Sequence, residues 1–237
     1  MESVNPGAAT PKRKKRVLYA AIIFLSLVAV ASVVRRIVNV VPVLISGYQH
    51  EITSSGVAAK FARVDDIFRR NPVLTLIHII PAFIFIVLGP FQFSRGIHKR
   101  FPLWHRRSGR VFFVCGAIVG ITALVMSFAM PAIGGLNQAA ATTFFGVFFC
   151  LALFKAYRHI LKREIELHRE WMIRAYSIGL AVATIRVIVG VFFATSRLSG
   201  LTPYEFFGIA FWIGFTLHLV AAEVWINYTR IDYKLAK

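Results

Sequence analysis

Residues 73–93 read VLTLIHIIPAFIFIVLGPFQF and contain no Asp, Glu, Lys or Arg. A helix that crosses a lipid bilayer needs about 20 consecutive, mostly apolar residues. In the bilayer core a helix also satisfies its own backbone hydrogen bonds, which an open strand cannot do. The stretch therefore predicts a membrane-spanning helix, bent at Pro81 and at Gly89-Pro90.

Five further apolar segments of similar length accompany this one. The chain of 237 residues is 57% hydrophobic and 16% charged, whereas about a quarter of the residues of soluble domains are charged. The predicted fold class is all-α: a polytopic transmembrane helical bundle of six spanning helices. Five would remain if the first segment were a cleaved signal peptide, but its apolar run exceeds the usual core of about 7–15 residues. The five further segments are 17–34, 111–132, 140–157, 172–194 and 206–226.

The chain divides into parts of alternating polar and apolar character. Between the first two apolar segments, residues 37–47 could extend the first helix or lie in the interface. From Val57 to Phe68, apolar residues recur at helical spacing, with Lys and Arg between them. That pattern predicts an amphipathic helix at the membrane surface. The parts are a disordered basic tail (1–16), the first span (17–34), an extracytoplasmic loop with this surface helix (35–72), a five-helix transmembrane core (73–226) and a cytoplasmic tail (227–237).

The formal net charge of +18 is distributed unevenly around the apolar segments. With six spans, 20 Lys and Arg fall on the side of the two termini and 7 on the opposite side. Cytoplasmic loops carry the excess of Lys and Arg, so both termini are predicted to be cytoplasmic. Nucleic acid is not a predicted partner, because no soluble domain remains to gather the charge on one face. Glu164, Glu166 and Glu170 are interpreted as the solvated face of a short cytoplasmic helix.

Two basic stretches precede long apolar runs on the predicted cytoplasmic side: WHRRSGR at 104–110 and HREWMIR at 168–174. Two facing imidazoles can ligate a haem iron, so His105 and His168 are candidate axial ligands of a b-type haem. The same stretches also suit interfacial anchors that contact membrane lipid phosphates, and this alternative stays open. Arginines neutralise carboxylates such as haem propionates; the candidates are Arg106, Arg110, Arg169 and Arg174.

These stretches belong to a longer set of motifs. The set comprises Gly89-Pro90-Phe91-Gln92-Phe93, Arg100, His105-Arg106-x-x-Gly109-Arg110, His168-x-x-Trp171-Met172-x-Arg174 and Arg186. It resembles a bacterial family of membrane proteins known as domain of unknown function 2306, over about residues 73–195. The resemblance implies a membrane topology and a location in the bacterial inner membrane, and it implies no particular activity.

Two histidines, His78 and His218, lie inside predicted spans. At a helical rise of 1.5 Å per residue, they lie roughly 9 Å and roughly 19 Å from the outer ends of their segments. Ligands of one iron must reach the same point, so this difference in depth argues against a haem held by the pair. Hydrogen bonding within the bundle is the simpler interpretation. A functional role stays open for both, because ionisable groups inside a membrane are costly.

Arg186 is the sharpest functional signal, because it lies in the outer half of the fifth predicted span. Glu223, taken as the only carboxylate inside the spans, lies near the inner end of the last one. It is expected to pair with Arg174, Arg169 or His168. Arg186 must therefore reach the interface, bind other polar groups, or contact an anion, a quinone or a cofactor beside the first of the two histidines.

Three functions from different classes fit these observations. The first is a redox protein that holds haem b or contacts a quinone. The second is a non-enzymatic transporter, sensor, or lipid- or anion-binding protein, and the third is an assembly or scaffolding subunit. No enzyme class is indicated, because nucleotide-binding, nucleophile-elbow and HExxH motifs are absent from the sequence. No metal site is predicted: Cys115 and Cys150 lie in apolar runs without metal-ligand spacing and are interpreted as free thiols.

Overall fold

The computed structural model describes residues 12–48 and 57–234, which are helical apart from short connections. Six of the helices are long and apolar enough to cross a membrane. The predicted all-α class with six spanning helices is confirmed. The helices are α1 (Lys12–Ser46), α2 (Val57–Arg69), α3 (Pro72–Gln92), α4 (Arg95–Arg100), α5 (Pro102–Ala129), α6 (Gly135–Leu161), α7 (Ile165–Ser199) and α8 (Pro203–Lys234).

From α3 onwards, short connections make consecutive spanning helices run in opposite directions. Three of them, α3, α5 and α8, begin with Pro72, Pro102 and Pro203. Proline suits the first helical turn, because its φ is already helical and the missing N–H is not needed there. Helix α7 ends at Gly200, whose φ of 66° is a left-handed cap that glycine adopts without steric cost. Six crossings return the chain to its starting side, which we call the termini face; the opposite side, which carries α2, is the α2 face.

Five of the spanning helices form a closed ring. Helix α3 contacts α1 and α5, α6 contacts α5 and α7, and α1 contacts α7. Helix α8 packs along the groove between α6 and α7. Helix α2 contacts α1 and α3 at the α2 face. The segment before residue 70 therefore completes the enclosure of the bundle interior.

A layer of aromatic rings fills the ring of helices on the termini side of its centre. Phe85 stacks on Phe112 with 4.3 Å between ring centroids, and Phe149 and Tyr176 lie 5.7 and 5.8 Å from Phe85. Glycine makes room for this layer, because a Cβ on Gly179 would lie 2.7 Å from the Phe85 ring. Phe85 and Phe112 are each only 1% exposed. The layer therefore forms a closed floor beneath the bundle interior.

The GPFQF motif at 89–93 fastens α3 to its neighbours. A Cβ on Gly89 would lie 2.0 Å from Cε2 of Tyr176, so the Tyr176 ring occupies space that only glycine leaves open. Gln92 donates from Nε2 to the Ser108 hydroxyl on α5 at 2.7 Å. The motif thus contacts both α7 and α5, and its role in the described structure is one of packing.

Helix α1 is longer than the sequence analysis predicts. Residues 35–46, predicted to belong to a loop, continue the helix to Ser46, and Val40 and Val43 are buried against the bundle. Pro42 removes one backbone donor, a loss that membrane helices tolerate. Extension of the first helix is therefore the observed alternative for residues 37–46, and the predicted end of the span at the Arg35-Arg36 pair is wrong. The apolar pattern resumes after that pair.

The remaining helices also extend beyond their apolar runs. His105 and His168 therefore lie in the first turns of α5 and α7 and not in loops. The predicted tail from residue 227 is helical as far as Lys234. Of the predicted disordered tail, residues 1–11 lie outside the described residues, and 12–16 are the start of α1. The predicted surface helix corresponds to α2.

Candidate functional site

A cavity of about 270 Å³ lies inside the helix ring, between the aromatic floor and the α2 face. All five ring helices contribute to its wall, and α2 and α8 complete it with Ile67, Phe68, Phe211 and Phe215. Most of the lining is aliphatic or aromatic. The polar lining residues are Ser32, Arg36, His78, Ser127, Gln138, Thr142 and Arg186.

Arg186 projects from α7 into this cavity. Its side chain has accessible surface and lines the cavity wall. It makes no hydrogen bond or ion pair with any residue of the described ranges. It lies within electrostatic range of His78, which lines the same cavity from α3. The structure therefore brings together the two residues that the sequence analysis proposes as neighbours.

A second charged group lies beside Arg186. Arg36 donates from Nη1 to Oδ1 of Asp65 on α2 at 2.5 Å, and Arg35 donates to the other carboxylate oxygen. The Arg36 guanidinium also lies 3.8 Å above the centre of the Phe68 ring, a cation–π contact. Arg36 is 4% exposed and Asp65 is 9% exposed. These contacts tie α2 to the first spanning helix.

Asp65 is the functional residue that the sequence analysis misses. Glu223 is not the only carboxylate within reach of the bundle interior, since Asp65 lies in electrostatic range of Arg186. The signal was in the helical spacing: Asp65 follows Val64 and precedes Phe68 by three residues, on the apolar face of α2. A carboxylate on an apolar face predicts a buried cationic partner.

The charges around the cavity do not balance. Three guanidinium groups, those of Arg35, Arg36 and Arg186, face one carboxylate, that of Asp65. Asp65 is bonded to the first two arginines. Arg186 therefore has no counter-charge of its own among the described residues, and the cavity is a site that attracts anions.

Two further features extend the site towards the α2 face. Gln138 accepts the backbone N–H of Gly134 with Oε1 at 2.8 Å, so its amide NH₂ is left for other acceptors. A second cavity, of about 210 Å³, shares Arg36, Gln138 and Arg186 with the first. The charged residues therefore lie where the two cavities adjoin.

The predicted haem ligands lie near the termini face, away from this cavity. Nδ1 of His168 bonds to the carbonyl of Ala156 at 2.9 Å. The His105 ring stacks on His98 at 4.5 Å, and the buried Nδ1 of His105 has no partner among the described residues. Helix α6 packs between α5 and α7. His105 and His168 lie within electrostatic range of each other, while His105 faces His98 directly.

The predicted pair between Glu223 and Arg174 is present. Arg174 donates from Nε and Nη2 to the two oxygens of Glu223 at 2.5 and 2.9 Å. Arg230 of α8 binds Glu170 in the same two-pronged way at 2.7 Å for each bond. Glu170 is only 6% exposed, so its assignment to a solvated face is wrong. These pairs clamp α7 to α8 at the termini face.

The other arginines predicted to contact propionates differ in their surroundings. Arg169 bonds through both Nη atoms to Thr229 of α8 at 3.4 Å. Arg106 and Arg110 are exposed on α5 at the termini face. Nearby, Glu164 bonds to His159 at 2.5 Å, and this hydrogen bond lowers the pKa of the Glu164 carboxyl.

His218 joins α8 to α7. Its Nε2 bonds to the hydroxyl of Thr184 at 2.7 Å, and its backbone carbonyl accepts the Ser177 hydroxyl at 2.6 Å. His78 bonds to Thr122 of α5 instead. The two intramembrane histidines therefore have separate partners. They are not brought together, as their difference in depth predicts.

Six spanning helices around a charged interior define an integral, multi-pass membrane protein. The chain belongs to the family described as predicted membrane protein (DUF2306), which matches residues 75–226. The resemblance is confirmed and extends through most of α8. No curated protein and no solved structure matches the chain. The matched region contains His78 and Arg186, whereas Arg36 and Asp65 lie in the part before it.

Proposed function

We propose that this protein is a non-enzymatic transporter or sensor that binds an amphipathic organic anion in the cavity, with Arg186 as the counter-charge. The observation that carries the proposal is a guanidinium without a hydrogen bond or ion pair to any described residue, held in a largely apolar cavity. The excess of Lys and Arg on the termini side supports cytoplasmic termini, and the family resemblance is the basis for placing the protein in a bacterial inner membrane. The α2 face would then be extracytoplasmic.

Electrostatics favours an anion over a neutral ligand. A unit negative charge about 4 Å from Arg186 gains roughly 4 kcal/mol at an effective dielectric constant of 20. The opposite charge on Asp65 is already shared by Arg35 and Arg36. A neutral ligand such as a quinone would accept hydrogen bonds from Arg186 but would leave its charge uncompensated.

The walls of the cavity favour an apolar body behind the anionic head. The adjoining volumes of about 270 and 210 Å³ approach the range of ligand pockets, roughly 300–1,000 Å³. Phe85 and Phe149 line the deeper part and Phe193 and Phe207 the part nearer the α2 face. A head beside Arg186 with an aliphatic chain along these rings would match both features.

Ligand-dependent thermal stability tests this proposal. The purified protein in neutral detergent would be heated with tetradecanoate, with tetradecanol and with inorganic phosphate. We expect a rise in Tm with tetradecanoate alone, because a ligand that binds only the folded state stabilises it. Arg186→Gln should abolish the rise, whereas Arg107→Gln, an exposed arginine of the termini face, should keep it.

Three results would overturn the proposal. An equal rise with tetradecanol would show that the charge is not recognised, and a rise with inorganic phosphate alone would show that no apolar body is needed. An unchanged response in Arg186→Gln would remove the residue on which the proposal rests. Circular dichroism and gel filtration of each variant would establish that it is folded.

A b-type haem at the termini face is the second candidate. The bond from His168 Nδ1 to the Ala156 carbonyl favours it, because this arrangement leaves Nε2 for a metal. The stacking of His105 on His98 and the engagement of Arg174 by a carboxylate count against it. A reduced-minus-oxidised spectrum after expression with a haem precursor decides. A b-type α-band lost in His105→Ala and His168→Ala would establish haem, and a flat spectrum in folded protein would remove it.

A further inference from the structure

The nitrogen of His78 that is not bonded to the protein is a hydrogen-bond acceptor. The Thr122 hydroxyl donates to the carbonyl of Ile118 at 2.6 Å, and a hydroxyl has only one hydrogen. Val119 offers a second carbonyl at 3.2 Å. We assign the hydrogen to these backbone carbonyls, so the hydroxyl oxygen accepts the 2.9 Å bond from Nδ1 of His78. Nδ1 carries the hydrogen of the neutral ring, and Nε2 carries a lone pair.

Nε2 of His78 has no hydrogen-bond donor among the described residues. Unlike the fully buried unpaired atoms of the described residues, Nε2 of His78 has accessible surface. His78 lines the cavity, so this surface faces the cavity. The neighbouring hydroxyls cannot supply a hydrogen, because Ser32, Ser127 and Thr142 donate to carbonyls one turn earlier in their own helices at 2.8, 2.9 and 2.9 Å. A ligand that meets His78 must bring its own donor.

Arg186 and His78 therefore require different groups on one ligand: Arg186 requires a hydrogen-bond acceptor and His78 a donor. Arg186 offers several N–H groups and a positive charge, and the amide of Gln138 offers further N–H groups. These donors require negatively charged or carbonyl oxygens. Nε2 of His78 requires an O–H or N–H. His78 and Arg186 line the same cavity, so one ligand can contact both.

We propose that the ligand head carries an O–H next to its anionic oxygens. The anionic oxygens would bind Arg186, and the O–H would donate to Nε2 of His78. This inference rests on the proposed function and narrows it. Two kinds of amphiphile have this chemistry: a 2-hydroxy carboxylic acid, and the singly protonated form of a phosphate monoester.

Matched ligands test the role of the hydroxyl. Dissociation constants would be measured for tetradecanoate, 2-hydroxytetradecanoate and tetradecyl phosphate in neutral detergent. We expect the hydroxy acid to bind about tenfold more tightly than the plain acid, the gain of one well-placed hydrogen bond. His78→Phe should bind both acids equally, at about the affinity of the plain acid for the unmodified protein.

A second variant keeps the imidazole and changes only its hydrogen bond. In Thr122→Val the ring can carry its hydrogen on either nitrogen, so the preference for the hydroxy acid should shrink. Thr195→Val, which alters a helix hydroxyl outside the cavity, should leave the preference unchanged. If tetradecyl phosphate binds more tightly than the hydroxy acid and depends on His78, the head is a phosphate monoester.

The outcomes separate this inference from the proposed function. Suppose that the two acids bind the unmodified protein equally and that binding is still lost in Arg186→Gln. This result would overturn the inference that the ligand head carries an O–H, and it would leave the proposed anion site intact. A preference that persists in His78→Phe would also overturn it. Failure of all three amphiphiles to bind the unmodified protein would overturn both.

Discussion

Arg36 of α1 donates a hydrogen bond to Asp65 of α2 over 2.5 Å, and both side chains are buried at the α2 face of the bundle. The bond joins the first spanning helix to a helix that the hydropathy pattern places outside the membrane. Helix α2 supplies Ile67 and Phe68 to the wall of the cavity. The pair therefore holds in place the element that closes the cavity beside Arg186.

Replacing Asp65 with Asn should destabilise the protein by about 3 kcal/mol, because removing one partner leaves a buried guanidinium without a counter-charge. The adjacent Asp66→Asn is the matched control. Asp66 bonds to Tyr48 and Arg70 nearer the surface, and such exposed pairs contribute about 1 kcal/mol or less. Thermal or denaturant unfolding in detergent measures both, and equal losses would contradict the buried role of Asp65.

Arg186→Gln should leave the ligand-free protein as stable as before, or raise its stability by about 1 kcal/mol. Functional residues often lower stability, and Arg186 contributes a charge without a bonded partner. Arg36→Gln should instead lower stability, since Arg36 is bonded to Asp65 and stacked on Phe68. A large loss of stability in Arg186→Gln would show that the residue is structural and would favour a scaffolding subunit.

Glu170 and Glu223, the two carboxylates that join α7 to α8, should contribute differently to the free energy of unfolding. Glu170 has a side chain 8% exposed and Glu223 one 41% exposed. Glu170→Gln should cost roughly 1.5–3 kcal/mol, because its buried carboxylate accepts two charge-assisted hydrogen bonds from Arg230. Glu223→Gln should cost about 1 kcal/mol or less, since water screens its pair with Arg174. A larger effect at Glu223 in unfolding experiments would reverse this order.

Gly89→Ala should destabilise the bundle by roughly 1–3 kcal/mol, the usual cost of overpacking. The added Cβ would lie 2.0 Å from the ring of Tyr176, so the ring or the helix must shift. Gly190→Ala is the control, because no atom lies within 4 Å of a Cβ there. In a helix interior, Ala is favoured over Gly by about 0.5–1 kcal/mol. The unfolding midpoint should therefore fall in Gly89→Ala and rise slightly in Gly190→Ala. A shift in the same direction in both variants would contradict the packing role of Gly89.

The contact between Glu164 and His159 should make stability depend on pH at the acid end. The hydrogen bond lowers the pKa of Glu164 in the folded protein. Its contribution is therefore complete above the ordinary pKa of a glutamate and disappears as the pH falls through the lowered value. Melting curves between pH 7 and pH 3 should show a smaller acid-induced loss for Glu164→Gln. Glu164 lies at the surface, so the difference should be small.

The helices were the most predictable part of the structure. Each spanning helix forms its own backbone hydrogen bonds and needs only a sufficient apolar length, so local sequence is enough. The predicted first span ends too early, at Arg35-Arg36, because a pair of arginines normally marks the membrane boundary. Asp65, twenty-nine residues beyond Arg36, supplies the partner that lets this charge lie within the helix.

The candidate site was only partly predictable. His78 and Arg186 were singled out because ionisable residues inside apolar segments are costly. The pairing of Glu223 with Arg174 followed from their similar depth. The burial of Glu170 and the role of Asp65 did not follow, because both depend on which helix faces each carboxylate. Hydropathy reports depth in the membrane and contains little information about lateral neighbours.

The sequence by itself determined six apolar helices and the uneven distribution of basic residues around them, since both follow from the length and polarity of local segments. Only the tertiary structure decided that α1, α3 and α7 bring Arg36, His78 and Arg186 to one cavity, with Asp65 of α2 bonded to Arg36 beside it. The physical reason is that an apolar helix is as stable against lipid as against another apolar helix, so hydropathy does not determine which helices are neighbours. The lateral order of the helices is decided instead by side-chain packing, such as the fit of Phe85 against Gly179.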